Sequence, residues 1–306
     1  MKDFLLRAYR LVRDAVRYWL DANAISYAGA LAFFTLFSIA PVVILAVQVI
    51  GLVMSTDAAM AQIMTQLHDT VGPEAAQTVR EAVERSRLDD SGILPTLIGI
   101  GAMLVGATTV FAQMQRSLNN IWDIAPKPSR NTILALVKSR LMSLTVVLSI
   151  GFVLLVSLFL SVMVQTLMVF ARDWLPIPGG LVVALETLVS VAVVTALFAT
   201  IFKVLPDAVL RWRDVRLGAL ITALLFIFGR FLIAFYLSHT ATASTYGAAG
   251  SLVLLLLWVY YSSLILLFGA AITRAWTEAN GVHIRPSSAA VRVQKQVLED
   301  KHGERF

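Results

Sequence analysis

Length, composition and charge exclude most classes of protein for this chain. Of its 306 residues, 58% are hydrophobic and 14% are charged, and the mean hydropathy of +0.79 is too high for a soluble domain. The net charge of +6 would suit a nucleic-acid-binding protein, but the basic residues are spread over several loops, so we expect no nucleic-acid partner. Cysteine is absent and the four histidines lack metal-ligand spacing, so we expect no metal and no cofactor.

The first element, residues 1–20, has no apolar core and no cleavage site, which argues against a signal peptide. It predicts an amphipathic helix. One face carries Phe4, Ala8, Leu11, Ala15 and Trp19, and another carries Arg7, Arg10, Arg13 and Arg17. Such a helix suits the headgroup layer of a membrane, with its cations toward anionic lipid, and makes membrane lipids an expected partner. A solvated helix packed on the rest of the protein is the alternative.

Six apolar runs follow, each at least as long as the roughly 20 residues that cross a hydrocarbon core of about 30 Å. They are residues 31–54, 93–112, 141–170, 181–202, 215–237 and 251–271. The runs are continuously apolar instead of alternating, which favours helices over a β-barrel. We therefore predict an all-α, polytopic membrane protein with six transmembrane helices. Residues 1–278 form one domain, and residues 279–306 form a cytoplasmic tail that is poorly ordered toward its end.

The loop at residues 55–92 is the only long segment between runs on its side of the membrane. Residues 58–68 and 73–88 have helical spacing, and Pro73 suits the first turn of a helix. We expect two helices lying over the outer mouth of the bundle.

Basic residues alternate from one loop to the next. They concentrate at residues 2–17, 116–140, 203–216 and 274–305, and they are sparse in the remaining loops. By the positive-inside rule both termini are cytoplasmic, which requires an even number of spans and agrees with six.

Ionisable side chains inside the apolar runs are the best functional candidates, because each is costly in lipid unless paired or hydrated. Glu186 and Arg230 lie at similar depths, roughly 10 Å below the outer surface, if their helices are antiparallel. Gln48 and Gln165 fall in the same outer half, and Tyr236 and Tyr246 flank the following loop. Together they would line a substrate pathway open to the outside. Alternatively, Glu186 and Arg230 only hold two helices together, or Arg230 extends outward to water.

Two further features are candidates for a pathway. Pro41 lies in the middle of the first run, where it should kink or break the helix, and broken helices build substrate sites in transporters. A purely architectural kink is the alternative. The last run carries polar groups near the membrane centre, namely Tyr260, Tyr261, Ser262 and Ser263. Hydrogen bonds between helices explain this cluster equally well.

Several stretches resemble the YihY/BrkB family of bacterial inner-membrane proteins. They are AFFTLFSIAPVVIL, LNNIWDI, LPD followed by WRDVRLGAL, and YGAAGSLVLLLLWVYYSSLILLFGAAITR, and the resemblance covers most of residues 20–278. It implies six transmembrane helices in the bacterial inner membrane. The family has carried the names ribonuclease BN and virulence factor, and the resemblance implies a transporter or exporter of undefined substrates. The chain departs from the family pattern at Leu264, commonly glutamine, and Ala271, commonly glutamate.

Transport is the function that these features favour. The substrate would be a small solute or a lipid-like molecule, and an anionic one would suit Arg230. No GxxxxGK loop is present, so the chain should not hydrolyse ATP, and we expect no enzyme activity. The first alternative is a non-catalytic, virulence-associated structural protein of the cell envelope. The second is a membrane-bound ribonuclease, for which the sequence offers no set of metal ligands.

Overall fold

The computed structural model describes residues 2–51, 55–85, 93–127, 179–239, 250–282 and 284–293. This part of the chain is mainly helical. Its helices are α1 (Lys2–Asp21), α2 (Ala24–Gly51), α3 (Thr56–Val71), α4 (Pro73–Arg85), α5 (Ile93–Ile121), α6 (Gly179–Val204), α7 (Trp212–His239) and α8 (Gly250–Ala279). Five of the six apolar runs coincide with helices, and the run at residues 141–170 lies outside the described residues.

Within the described residues, four helices are long and apolar enough to cross a membrane. The qualifying segments are Ala24–Gln48, Thr187–Val204, Trp212–Leu232 and Gly250–Ala279. They lie in α2, α6, α7 and α8. Large apolar side chains such as Phe37, Phe228 and Phe231 are exposed on these helices, as expected for surfaces that face lipid. The chain is thus a helical membrane protein.

Helix ends follow local sequence signals. The side chain of Ser55 caps α3 by accepting a hydrogen bond from the Ala58 amide at 3.2 Å. α4 begins at Pro73, as predicted. α5 continues well beyond its apolar run to Ile121 and ends before Pro126.

The last helix, α8, is the centre of the bundle. It packs against α1, α2, α4, α5 and α7, while α6 packs on α7 and α5 packs along α2. The larger apolar core joins buried residues such as Leu118, Phe202 and Leu267 from α5, α6 and α8. Different parts of α8 therefore contact five of the other described helices.

Helices α7 and α8 approach closely through two glycines. A side chain at Gly218 would overlap Thr273 and lie 2.9 Å from the Gly269 carbonyl oxygen, and a side chain at Gly269 would overlap Thr222. Each threonine hydroxyl donates to a carbonyl of its own helix, Thr222 to Gly218 at 2.6 Å and Thr273 to Gly269 at 2.9 Å. The two threonines are thereby satisfied while each fills the space opposite the glycine of the other helix.

A second apolar cluster joins α3 and α4 to α2 and α8. Its buried members include Val43 and Val47 of α2, Val79 and Val83 of α4, and Leu255 of α8. The two short helices therefore cover the end of the bundle at which α2 ends and α8 begins.

The opposite end carries four short strands that the sequence did not predict. Strand β1 (Ile124–Pro126) pairs antiparallel with β4 (Ala290–Arg292), and β2 (Ala208–Val209) pairs antiparallel with β3 (Arg285–Pro286). We call this end of the molecule the sheet end. The described part of the tail, residues 284–293, folds back on the loops that follow α5 and α6 and buries Ile284 and Ala290. The poor order predicted toward the end of the tail stays a prediction, because those residues lie outside the described ranges.

Candidate functional site: a polar cavity at the sheet end

Three of the segments that carry the family resemblance meet at the sheet end. The motif LNNIWDI ends α5 and enters β1, the motif LPD joins α6 to β2, and Arg274 lies in the last turns of α8. The chain turns sharply between α5 and β1, where Asp123 has a positive φ of 50°. Asparagine and aspartate are the residues that tolerate this conformation best after glycine, which explains an aspartate here.

Asn119 and Asp207 form a two-point contact between the first two of these segments. The Asn119 side-chain amide donates to the Asp207 carboxylate at 2.8 Å, and the Asp207 backbone amide donates to the Asn119 side-chain oxygen at 2.8 Å. The Asp207 carbonyl in turn accepts from the Ser287 amide at 2.8 Å. The pair therefore fixes α5, the α6–β2 connection and the tail together.

Arg274 is a buried charge at this end. Its guanidinium donates to the Ile121 carbonyl at 2.6 Å, to the Asp123 carboxylate at 2.6 Å and to the Glu278 carboxylate at 3.1 Å. Its side chain is 11% exposed, so these contacts compensate most of the cost of removing the charge from water.

Tyr18 connects α1 to the same group. Its ring lies under the guanidinium of Arg274, 4.1 Å from Cζ to the ring centroid, and its hydroxyl donates to Glu278 at 2.6 Å. Burial and this hydrogen bond raise the pKa of Tyr18 to about 12, so the hydroxyl stays protonated and keeps donating at physiological pH. Asn120 adds a contact from α5, because its amide donates to the Ala22 carbonyl at 2.6 Å.

Beside this network lies a cavity of about 800 Å³. The residues that matter for its chemistry are Arg17, Tyr18, Asp21, Asn120, Asp123, Arg274 and Arg292. Arg292 is exposed and forms no ion pair within the described ranges, whereas Arg17 lies 3.5 Å from Asp21. A smaller cavity of about 240 Å³ adjoins it, and Arg274 and Arg292 line both. The site is therefore open, charged and large enough for a small polar molecule or a lipid headgroup.

Comparison with known proteins identifies the family. Residues 15–293 match the family model described as virulence factor BrkB, which is most of the chain. The chain belongs to the BrkB family. The match includes all of the segments that form the cavity.

Curated relatives of this BrkB-family chain carry two kinds of name. A UPF0761 membrane protein of Mannheimia succiniciproducens is 26% identical, over 80% of this chain and 82% of that protein. Another of Nitrosospira multiformis is 30% identical, over 86% of this chain and 59% of that longer protein. A Bacillus subtilis protein named ribonuclease-like, YfkH, is 28% identical over 84% of this chain and 90% of its own length. No solved structure matches the chain.

The predicted outer pathway of this BrkB-family chain is only partly visible. Gln48 near the end of α2 and Arg230 on α7 are both exposed. Glu186 lies in α6 and Tyr236 in α7, but their side chains are outside the described structure, as are Gln165 and Tyr246 entirely. The Glu186–Arg230 pair and the polar pathway therefore stay predictions.

Pro41 does not interrupt its helix, because α2 runs from Ala24 to Gly51 with Pro41 inside it. Gly106 of α5 lies opposite, and a side chain there would come within 3.0 Å of the Pro41 ring. The proline ring thus packs closely against α5 at Gly106, where a larger residue would crowd it.

The polar cluster of the last helix lies between helices. Tyr260 packs on the larger core, Ser263 is buried, and Tyr261 lies against Gly229 of α7, where any side chain would overlap its ring. The buried hydroxyl of Ser262 has no hydrogen-bond partner within the described part of the chain. Packing explains the two tyrosines, and a role in a pathway stays a prediction for all four residues.

Sequence reasoning did not select the residues of the cavity. From the sequence, Arg274 is only one of the basic residues that follow the last apolar run, and Asn119, Asn120 and Asp123 are only part of a motif. The available signal was the spacing of Arg274 and Glu278, which at i and i+4 share a helix face directly after an apolar run. Among the described residues, no group of three or more histidine, aspartate or glutamate side chains is placed to hold a metal ion.

Proposed function

We propose that this protein is a transporter or exporter of a small solute or a lipid-like substrate in the bacterial inner membrane. The observation that carries the proposal is the charged cavity of about 800 Å³ at one end of a bundle of membrane-spanning helices. The charged residues that line this cavity are three arginines, Arg17, Arg274 and Arg292, and two aspartates, Asp21 and Asp123. Such a lining suits an anionic or zwitterionic group.

The polar contacts beside the cavity are of a kind that can break and re-form during transport. Between them, Arg274, Tyr18 and Asn120 link α1, α5 and α8 through a small number of hydrogen bonds and one cation–π contact. Polar contacts of this kind can exchange for water or substrate contacts with little net change in free energy, unlike an interlocked apolar core. The pathway would continue toward Arg230. From residue 212 to residue 230, α7 rises about 27 Å, most of the thickness of the hydrocarbon core.

The proposed orientation places the sheet end and both termini in the cytoplasm. Its support is the charge distribution. The basic residues of the sheet end are Arg7, Arg10, Arg13, Arg17, Arg116, Lys127, Lys203, Arg211, Arg213, Arg216, Arg274, Arg285 and Arg292. At the other end, Arg80 and Arg85 are paired with Glu84 and Glu81. The positive-inside rule then puts α3 and α4 on the outer side.

Single cysteines test the orientation cleanly, because the chain has none of its own. We expect a membrane-impermeant maleimide to label Ala61→Cys on the exposed surface of α3 in spheroplasts. Ser288→Cys, in the exposed turn before β4, should be labelled only after the membrane is permeabilised. The reverse labelling pattern would show that the protein has the opposite orientation in the membrane.

Transport is tested in proteoliposomes with two probes, carboxyfluorescein as a small anion and NBD-labelled phosphatidylglycerol as a lipid. At least one should cross faster than in protein-free vesicles. Arg292→Gln should slow it because Arg292 is a cavity arginine without an ion pair among the described residues. Arg80→Gln, in a surface pair on α4, should not. Rates equal to those of empty vesicles for both probes would contradict both substrate classes.

A non-catalytic structural role in the envelope is the alternative, favoured by the close packing of α7 on α8 through Gly218 and Gly269. The name of the Bacillus subtilis relative raises a third function, membrane-bound ribonuclease. We expect no RNA cleavage by the rigorously purified chain. Cleavage that disappeared in a point variant of this chain would establish the third function instead.

A further inference from the structure

Helix α1 exposes an apolar stripe that the bundle does not cover. The stripe consists of Leu6, Tyr9, Val12, Val16 and Leu20, which are 39–66% exposed. With 100° between successive residues, these five side chains fall within about 120° of the helix circumference. They form one continuous surface.

The opposite side of α1 is already occupied. Ala15 is fully buried, and Leu11, Tyr18 and Trp19 pack against the larger core. α1 thus docks on α8 through one face and presents the stripe away from the bundle. The stripe is not needed to hold α1 in place.

A basic edge borders the stripe on the side away from Trp19. It is formed by Arg13, Arg17, Arg10 and Arg7, with Asp14 and Asp21 as the acidic residues among them. Arg13 pairs with Asp14 at 2.8 Å and Arg17 with Asp21 at 3.5 Å, and no ion pair is formed by Arg7 or Arg10 within the described residues. The edge therefore keeps an excess of positive charge next to apolar surface.

The position of α1 directly before α2 sets the depth of α1 relative to the membrane. A tight turn at residues 22–23, with Asn23 at a φ of 52°, separates α1 from α2, the first membrane-crossing helix. Exposed apolar side chains continue across this turn from Leu20 to Ile25 and on to Phe33 and Phe37. Exposed apolar side chains thus lie on both sides of the turn, on α1 and on the first membrane-crossing helix.

We propose that α1 lies in the interface of the membrane and binds anionic phospholipid. The stripe is inserted among the upper acyl chains, with Tyr9 at the headgroup level, and the basic edge contacts the phosphates. A lipid surface is the occupant that satisfies both the apolar stripe and the two arginines without an ion pair in the described part of the chain. Since Arg17 also lines the cavity, the bound headgroups lie directly beside its rim.

Fluorescence quenching on the full-length protein in phosphatidylcholine–phosphatidylglycerol vesicles tests this inference. An NBD label on Val16→Cys should be shielded from aqueous iodide and quenched by doxyl-labelled lipid. The same label on Gln77→Cys, an exposed position of α4, should be quenched by iodide and not by doxyl lipid. Iodide access at Val16 equal to that at Gln77 would overturn the proposal. Protection of Val16 from both quenchers, together with cross-linking of two Val16→Cys chains, would assign the stripe to a second copy and also overturn it.

The preference for anionic lipid is measured separately, by comparing quenching by two doxyl-labelled lipids. Doxyl-phosphatidylglycerol should quench the Val16 label more strongly than doxyl-phosphatidylcholine. A basic residue near the membrane surface changes local anionic-lipid binding by roughly fivefold, so Arg7→Gln with Arg10→Gln should bring the ratio of the two quenching constants toward one. Arg80→Gln with Arg85→Gln on α4 is the matched control and should leave the ratio unchanged. Equal quenching by the two lipids in the unsubstituted chain would refute the preference for anionic lipid.

Discussion

Arg274 is the residue whose replacement should destabilise the sheet end most. Arg274→Met retains much of the unbranched apolar stem and removes the guanidinium, so the change isolates the polar contacts. The variant leaves a buried carbonyl at Ile121 and two carboxylates, Asp123 and Glu278, without their cation.

The magnitude follows from how well each abandoned group can hydrate. The Ile121 carbonyl is buried, and leaving such an acceptor unsatisfied costs about 1–3 kcal/mol. The Asp123 and Glu278 side chains are 25% and 31% exposed, so water recovers part of their loss and each contact contributes at most about 1 kcal/mol. We therefore expect the free energy of unfolding to fall by about 3 kcal/mol.

The measurement is equilibrium unfolding in mixed micelles with increasing sodium dodecyl sulfate, followed by tryptophan fluorescence. Arg80→Met is the matched control, because its pair with Glu84 at 3.0 Å lies on the surface with both side chains more than half exposed. The control should lose less than about 0.5 kcal/mol. If Arg274→Met lost no more than Arg80→Met, the network would not contribute to stability and the argument from burial would be wrong.

Three further predictions concern other parts of the molecule. Gly269→Ala should lower the free energy of unfolding by about 1–3 kcal/mol, because the new methyl group would overlap Thr222. Gly29→Ala is the control and should be neutral or stabilising, because a methyl group there would meet no atom within 4 Å. Equal effects of the two substitutions would refute the close approach of α7 and α8. The stability difference between the unsubstituted chain and Tyr18→Phe should be constant below about pH 10, the ordinary pKa of tyrosine. It should shrink from there up to about pH 12, because Tyr18 then ionises in the unfolded chain while it stays protonated beside Glu278 in the folded one. In thermal unfolding across that range, a difference that does not change with pH would show that the hydroxyl is not the source of the effect. If Glu186 and Arg230 are an ion pair, replacing both with glutamine should destabilise less than replacing either one, and additive losses in a double-mutant cycle would exclude the pair.

The sequence alone specified the helices and several of their ends. Membrane-crossing runs are local features, since about 20 consecutive apolar residues satisfy their own backbone hydrogen bonds as a helix without any partner. Proline likewise acts through its own backbone, because its φ angle is fixed and it has no N–H to donate. Pro73 stands at the start of α4, and Pro126 follows the end of α5. The helical period of α1 was equally visible, but the face predicted for lipid was wrong, because Leu11, Ala15 and Trp19 of that face pack on the bundle and a different apolar stripe is exposed.

Only the tertiary structure brought the cavity residues together. Arg274 meets Asp123 across 151 positions of sequence, and Tyr18 meets Glu278 across 260. Strands β1 and β4 are three residues long, too short to have a recognisable period, and they exist because the tail returns to pair with the chain after α5. A single arginine after an apolar run reads as a surface charge until the fold places a carbonyl and two carboxylates around it. Which polar residues are buried together depends on helix packing, and the sequence carries no local signal for that packing.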